Sequence, residues 1–188
     1  KRMTNKYKFI IAAGGTGGHL FPAVAVAQKI LELKPAADIL FVGTKNKIEA
    51  KEAPRLGFKF KAIWISGFSR QFSLKNLLFP LKVIVAYFQS FIINLSFKPK
   101  VIIGAGAYVS GPVISAGSLL GAKVMLLEQN NFPGVTNRLL EKKADVIHVS
   151  FEDSKNYFRE TSKIVVSGNP VRVDFELMDK GEAVKKYG

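Results

Sequence analysis

Cysteine is absent from the 188 residues, which excludes disulfides, thiolate metal sites and cysteine nucleophiles. Histidine occurs twice, at 19 and 148, too few for a histidine-based zinc cluster. Acidic residues are scarce: 14 stand against 28 basic ones, for a net charge of +14, and none lies between Glu52 and Glu128. That interval carries Arg55, Lys59, Lys61, Arg70, Lys75, Lys82, Lys98, Lys100 and Lys123. Two partners suit such a stretch, nucleic acid or an anionic membrane surface. The basic N-terminal stretch, residues 1–6, lacks the pattern of a signal peptide. No lysine follows the glycines of the first loop, so a P-loop ATPase is excluded. Those glycines also miss the Gly-x-Gly-x-x-Gly spacing, and Asp38 precedes the second strand instead of ending it, which argues against a dinucleotide fingerprint.

What is present begins with Gly14-Gly15-Thr16-Gly17-Gly18-His19. An apolar run before it reads as a buried strand, and Ala23-Val24-Ala25-Val26-Ala27 after it reads as a helix. A strand that turns through four glycines into a helix sets unpaired N–H groups at the positive end of a helix dipole, which is an anion site. Glycine lets a phosphate or sugar approach the backbone. His19 then stands beside whatever those donors hold. The competing reading is a tight turn whose glycines serve only the backbone.

Strands are expected at 8–13, 39–42, 60–65, 101–104, 123–128, 146–149 and 164–166. They are rich in Ile and Val with little alternation, as strands buried on both faces are. Helices are expected at 22–33, 49–56, 80–97, 113–120, 135–142 and 151–158. The alternation predicts an α/β fold, a Rossmann-like parallel sheet with helices on both faces. With 48% hydrophobic residues the chain is able to fill such a core. Ligands in these sheets sit beyond the carboxyl ends of the strands. The polar and glycine-rich loops all fall at such ends: 14–19, 104–112, 128–137 and 167–172. In the second, Gly104, Gly106 and Gly111 open the backbone, and Tyr108 and Ser110 suit sugar hydroxyls or phosphate. In the third, Glu128, Gln129, Asn130 and Asn137 suit a polyhydroxyl substrate, with Thr136 or Asn137 read alternatively as a helix cap. A domain boundary is expected near Asn169-Pro170, with 1–170 as one domain and 171–188 as the start of a linker or further domain.

Residues 72–97 read FSLKNLLFPLKVIVAYFQSFIINLSF. Leu74, Leu77, Leu78, Leu81, Val85, Phe88, Ile92 and Leu95 form a helical stripe suited to packing on the sheet. Phe79, Val83, Tyr87 and Ile93 lie off that stripe and are also apolar. Pro80, Lys82, Gln89 and Asn94 interrupt any spanning segment. A monotopic contact fits better, with Lys75, Phe79, Lys82, Val83 and Tyr87 as its patch. The alternative is a helix buried between layers or against a partner. Nucleic acid is disfavoured, because the basic residues are interleaved with aliphatic ones and form no recognition motif.

Four segments, GGTGGHLFPAVAVA, YVSGP, EQN…PG.TNR.L and GNPVR, resemble in this order the MurG family of bacterial UDP-N-acetylglucosamine transferases. The resemblance runs from about Lys8 to Arg172. It implies the N-terminal, acceptor-binding half of a GT-B glycosyltransferase, with a C-terminal donor domain beyond it. It implies GlcNAc transfer with inversion from UDP-GlcNAc to undecaprenyl-diphosphoryl-MurNAc-pentapeptide, at the cytoplasmic face of the inner membrane. UDP-GlcNAc is then a substrate, and no metal or cofactor is implied. The resemblance assigns Thr16, Gly17, Gly18, Asn130 and Arg172 to the donor. It sets the glycine loops, with Gly14, Gly15, Gly104, Gly106, Tyr108, Ser110, Gly111, Glu128, Gln129 and Asn137, near the acceptor and its diphosphate. His19 matches a residue suited to acid–base or positioning work. Two residues depart from the family pattern: Ala107 replaces a glycine and Leu127 a histidine. Rival readings are a split transferase, a diacylglycerol glycosyltransferase of similar fold, and a non-catalytic membrane-binding module.

Overall fold

The computed structural model describes residues 7–67, 78–171 and 180–187. Seven strands form one sheet in the order β3-β2-β1-β4-β5-β6-β7. They are β1 (Lys8–Ala12), β2 (Asp38–Gly43), β3 (Lys59–Ala62), β4 (Val101–Gly104), β5 (Lys123–Glu128), β6 (Val146–Val149) and β7 (Ile164–Val166). Every pairing is parallel. The chain steps outward from β1 to β3, then returns to pair β4 against the free side of β1, Phe9 facing Val101. The strand order therefore reverses between β1 and β4, and ligands of open α/β sheets bind at that switch point.

The helices are α1 (Gly17–Leu33), α2 (Ile48–Arg55), α3 (Phe79–Phe97), α4 (Ala107–Leu119), α5 (Val135–Leu140) and α6 (Lys180–Tyr187). One core unites Ile11, Phe41 and Ile103 with Leu20, Ala23 and Val24 of α1 and Ala53 of α2. The other unites Ile10, Ile102 and Leu126 with Ala86 and Ile93 of α3 and Val113 and Ile114 of α4. Inward residues thus alternate along each strand between two helical layers, as a sheet covered on both faces requires.

Three expectations are corrected. First, α1 and α4 begin five and six residues before their expected starts. The expected starts fall at Pro22 and just after Pro112, yet each proline sits inside its helix. Gly17, Gly18, His19, Tyr108, Ser110 and Gly111 are consequently helical. Second, 151–158 forms a 3-10 helix at Glu152–Tyr157, and β3 ends at Ala62, leaving Ile63 and Ile65 buried beyond it.

The third concerns α3. Of the stripe expected to pack on the sheet, Leu81, Phe88, Ile92 and Leu95 are exposed, joined by Ile84. The helix packs instead through Ala86, Ser90, Ile93 and Asn94. Asn94 Nδ2 bonds to the carbonyls of Ser90 and Val113, and Gly117 of α4 leaves room for the Asn94 side chain. Small residues here bring two helices close. A helix apolar all round hides this preference from periodicity. Among the described residues α3 alone is long and apolar enough to cross a membrane, but its Ser90–Asn94 face is committed to α4.

Candidate functional site

The site forms where β1 and β4 end. The first turn after β1 is built over a carboxylate that the sequence did not reveal. Glu49, in the first turn of α2, is wholly buried. Its Oε1 accepts the N–H of Thr44 at 3.0 Å and the Thr44 hydroxyl at 2.7 Å, and its Oε2 accepts the N–H of Gly15 at 3.2 Å. A Cβ on Gly14 would stand 2.5 Å from Glu49 Oε1, and one on Gly43 would strike its Cγ. Two strand-end glycines therefore make the hole that this side chain fills. The only sequence signal is a glycine closing β2 followed by an acid in the next helix, a pattern too common to single out.

Gly15 takes φ +88°, a left-handed value that suits glycine. Thr16, extended and exposed, is the N-cap of α1, and no acidic residue occupies the helix's first turn. The N–H groups of Gly17 and Gly18 precede any intrahelical partner and lie at the positive helix end. Gly18 is exposed, whereas Gly17 packs on the Phe21 ring. His19 is half-buried and lies across the switch-point crevice: a Cβ on Gly106 would come within 3.0 Å of its ring, and its Nδ1 is buried with no protein partner.

The second turn mirrors the first. Gly106, the N-cap of α4, has φ +82° and ψ −161°, and Ala107 follows at φ +60°. Tyr108 reaches back from α4 over the first turn, its ring near Gly15 and Gly67. Burial pushes the Tyr108 phenol above its ordinary pKa; the neighbouring Thr44 hydroxyl opposes the rise and the charge on Glu49 adds to it. Beside this corner a cleft of about 410 Å³ runs between Thr44–Lys47, Trp64–Ser66 and Gln89.

The glycine set divides on inspection. Gly104 owes its missing side chain to Ile114 and Leu126, Gly106 to His19, and Gly14 to Glu49. Those three serve packing, which corrects the expectation that all the loop glycines are bare toward a ligand. Gly111 has nothing near where a Cβ would stand, and Gly15 and Gly18 have room for one, with Tyr108 and Thr16 at ordinary contact distances of 3.7 Å.

The loop after β5 is likewise internally committed. Glu128 is buried and accepts bonds from the Asn130 N–H and Nδ2, the Gly134 N–H and Asn137 Nδ2. Asn137 is fully buried and also reaches the Leu127 carbonyl. Ser110, fully buried, donates to the carbonyls of Ala12 and Gly106. Their side chains shape the loops and do not project from them. Gln129 spans toward the Ala105 carbonyl at 3.5 Å, and its Oε1 is buried without a protein partner. Asn130 remains exposed. Leu127 sits in the core, where a leucine needs no polar partner. Among the described residues no group of three His, Asp or Glu stands together as a metal site.

Of the remaining candidates, Lys75 and Arg172 lie outside the described residues. Phe79 and Tyr87 are half-buried and Val83 is exposed. Lys82 turns inward to the Ser66 hydroxyl at 3.1 Å and over the Trp64 ring.

A doubly wound parallel sheet, with two glycine-opened helix N-termini at its switch point, defines a Rossmann-like ligand-binding domain. The model of the glycosyltransferase family 28 N-terminal domain matches residues 9–149, and the chain belongs to that family. The UDP-N-acetylglucosamine–N-acetylmuramyl-(pentapeptide) pyrophosphoryl-undecaprenol N-acetylglucosamine transferase of Flavobacterium psychrophilum is 42% identical over 97% of this chain and 50% of its own length. The namesake enzyme of Cytophaga hutchinsonii is 45% identical over 93% of this chain and 48% of its own. The chain spans about half the length of the relatives it matches. The crystal structure of Acinetobacter baumannii MurG superposes with a TM-score of 0.72 at 27% identity, covering 89% of this chain and 46% of that one. A Neisseria meningitidis UDP-GlcNAc 2-epimerase bound to UDP-GlcNAc shares the fold alone: TM-score 0.63, 14% identity, 86% of this chain and 46% of its own.

Proposed function

We propose that this chain is the acceptor-binding half of a GlcNAc transferase. The whole enzyme transfers GlcNAc from UDP-GlcNAc to undecaprenyl-diphosphoryl-MurNAc-pentapeptide, lipid I, and forms lipid II. The observation that carries this reading is the β1/β4 crevice, where two helix N-termini flank His19. Both partners of such a transfer are diphosphates, and paired helix starts supply N–H donors and dipole charge for them. Thr16, Gly17, Gly18 and Asn130, with Arg172, belong to the donor side. Gly15, Tyr108, Gly111 and Gln129 line the acceptor side, and Gly14, Gly104, Gly106, Ser110, Glu128 and Asn137 hold its shape.

In the reaction, the 4-hydroxyl oxygen of MurNAc bonds to C1 of GlcNAc from the face opposite UDP, and the bond from C1 to the phosphate oxygen breaks. Attack from that face inverts the anomeric centre. The hydroxyl proton passes to a base, for which His19 is the candidate, and the negative charge departs on UDP. Donors at the α1 N-terminus stabilise charge that grows on the leaving oxygen. The exposed apolar face of α3 docks on the anionic cytoplasmic surface of the inner membrane, which brings the crevice to a lipid-linked acceptor.

The test is transfer of labelled GlcNAc to lipid I by a protein that joins this chain to a donor half like that of its relatives. Formation of lipid II is expected. Transfer only to a diacylglycerol or dolichol-type acceptor, or none at all, overturns the proposal.

A further inference from the structure

The cleft past the ends of β2 and β3 adjoins the crevice through Tyr108, which lines the cleft and stands with its ring near Gly15. At about 410 Å³ it has the size of a small-ligand site. One wall is apolar: Ile63 and Ile65 are buried, and the Trp64 ring between them in the chain is half exposed. Two residues of α3 fix this segment. Gln89 Oε1 accepts the Trp64 N–H at 2.7 Å, and Lys82 reaches the Ser66 hydroxyl at 3.1 Å. Lys82 Nζ also stands 5.9 Å from the centre of the Trp64 ring, a cation–π contact. Polar residues that interrupt the apolar run of α3 thus hold a wall of the cleft. Lys45 and Lys47 line it as well, both exposed and neither in an ion pair among the described residues. No acidic residue lines it.

We propose that this cleft is the subsite for the peptide stem of the acceptor, with Lys45 and Lys47 holding its carboxylates and Trp64 its apolar side chains. The inference deepens the acceptor reading of the proposed function and rests on it. In a muramyl sugar the peptide hangs from the oxygen next to the reacting 4-hydroxyl. A sugar placed at His19 therefore sends its peptide into an adjoining space, and Tyr108 joins this one to the crevice. Charge sorts the two anionic parts of such an acceptor. The diphosphate is served by N–H donors at the helix starts of the crevice. At the cleft, the first turn of α2 already carries its own buried carboxylate, Glu49, bonded to Thr44. A multiply charged phosphate there meets repulsion from it. Ammonium groups on flexible stems suit singly charged carboxylates spread along a peptide.

Two measurements separate its failure from the failure of that reading. Trp64 is the sole tryptophan of the chain, so tryptophan emission reports this cleft alone. Phosphate-free N-acetylmuramyl-pentapeptide, titrated into the 188-residue chain, is expected to change that emission saturably. Lys45→Glu with Lys47→Glu is expected to weaken the binding about tenfold, the scale of two exposed ion pairs, and thermal unfolding checks that the variant is folded. Capping the peptide carboxylates as amides should weaken it by a similar factor. Inorganic pyrophosphate is expected neither to reproduce the change nor to compete. No saturable change overturns the assignment, and so does displacement by pyrophosphate, which would give the cleft to the diphosphate. The second measurement uses the chain joined to a donor half, with soluble muramyl diphosphate acceptors that carry or lack the pentapeptide. The same double variant is expected to lower kcat/KM for the peptide-bearing acceptor, relative to the peptide-free one, about tenfold. An equal effect on both acceptors overturns the subsite. Absence of turnover in the unmodified protein would instead refute the proposed function, and the Trp64 titration then decides the cleft by itself.

Discussion

Ala107→Gly is expected to stabilise the protein, and its neighbour Gly106→Ala to destabilise it. Ala107 opens α4 at φ +60°, where a Cβ crowds the following carbonyl at a cost of about 1–2 kcal/mol. Glycine removes that cost but adds freedom to the unfolded chain worth about 0.4–1 kcal/mol. The difference is a net gain of roughly 0.5–1 kcal/mol. For a chain of this size that raises Tm by about 1–4 °C, at roughly 2–4 °C per kcal/mol. Gly106, at φ +82° and ψ −161°, occupies a region essentially reserved for glycine, so an alanine there bears about 1–3 kcal/mol of strain. Its Cβ would also press on the His19 ring at 3.0 Å. A loss of about 2–4 kcal/mol follows, by adding steric displacement to that strain. Thermal and urea unfolding of both variants decide the matter. A lowered Tm for Ala107→Gly, or a tolerated Gly106→Ala, would refute the backbone geometry at this turn.

On α3, Phe88→Glu with Ile92→Glu should weaken sedimentation with anionic vesicles, while exposure of 61% and 65% keeps the stability change within about 0.5 kcal/mol; unaltered binding would remove this face from the membrane contact. His19→Ala in the complete enzyme should lower turnover by about 10²–10⁴-fold if the imidazole is the base, whereas a positioning role raises acceptor KM at least as much as it lowers turnover; unchanged kinetics excludes both. The chain by itself should transfer no GlcNAc, because nothing then holds the donor against the acceptor; clear turnover by the 188 residues would contradict this. Hydrogen bonds from Lys123 and the Val124 N–H hold the Asp145 carboxyl below its ordinary pKa, so the stability it lends is present above about pH 3.8 and fades as pH falls through the lower folded value; acid titration of Asp145→Asn should show a flatter loss, and an identical curve would reject the pairing.

Strands were the most legible part of the fold, since β4, β5, β6 and β7 fall at the residues that short, mainly apolar runs mark. Helix starts were less so. The starts were set at Pro22 and just past Pro112, and the glycines before them were read as loop, because propensity does not see the strand end that launches each helix. The face of α3 was misjudged for a related reason: Ser90 and Asn94 are buried because they let helices approach, not because they are apolar. At the site, the segments after β1, β4 and β5 were visible from their glycines and amides. Which of those face a ligand was not, because the packing of Glu49 under Gly14 and of His19 against Gly106 joins residues far apart in the chain.

The reversal of strand order also has a consequence for how the chain assembles. The β1–β2–β3 unit is built from near neighbours in sequence, as is the β4-to-β7 unit, and among the described residues the ladder joining them is β1 on β4. Closing that ladder carries a loop-entropy cost that local pairings do not. The crevice is therefore a seam along the β1–β4 ladder and has no existence until that ladder closes. A ligand that grips both glycine turns staples the seam, adding stability by RT ln(1 + [L]/Kd) to the step that brings the halves together. Loss of binding should accordingly accompany any opening of the β1–β4 ladder.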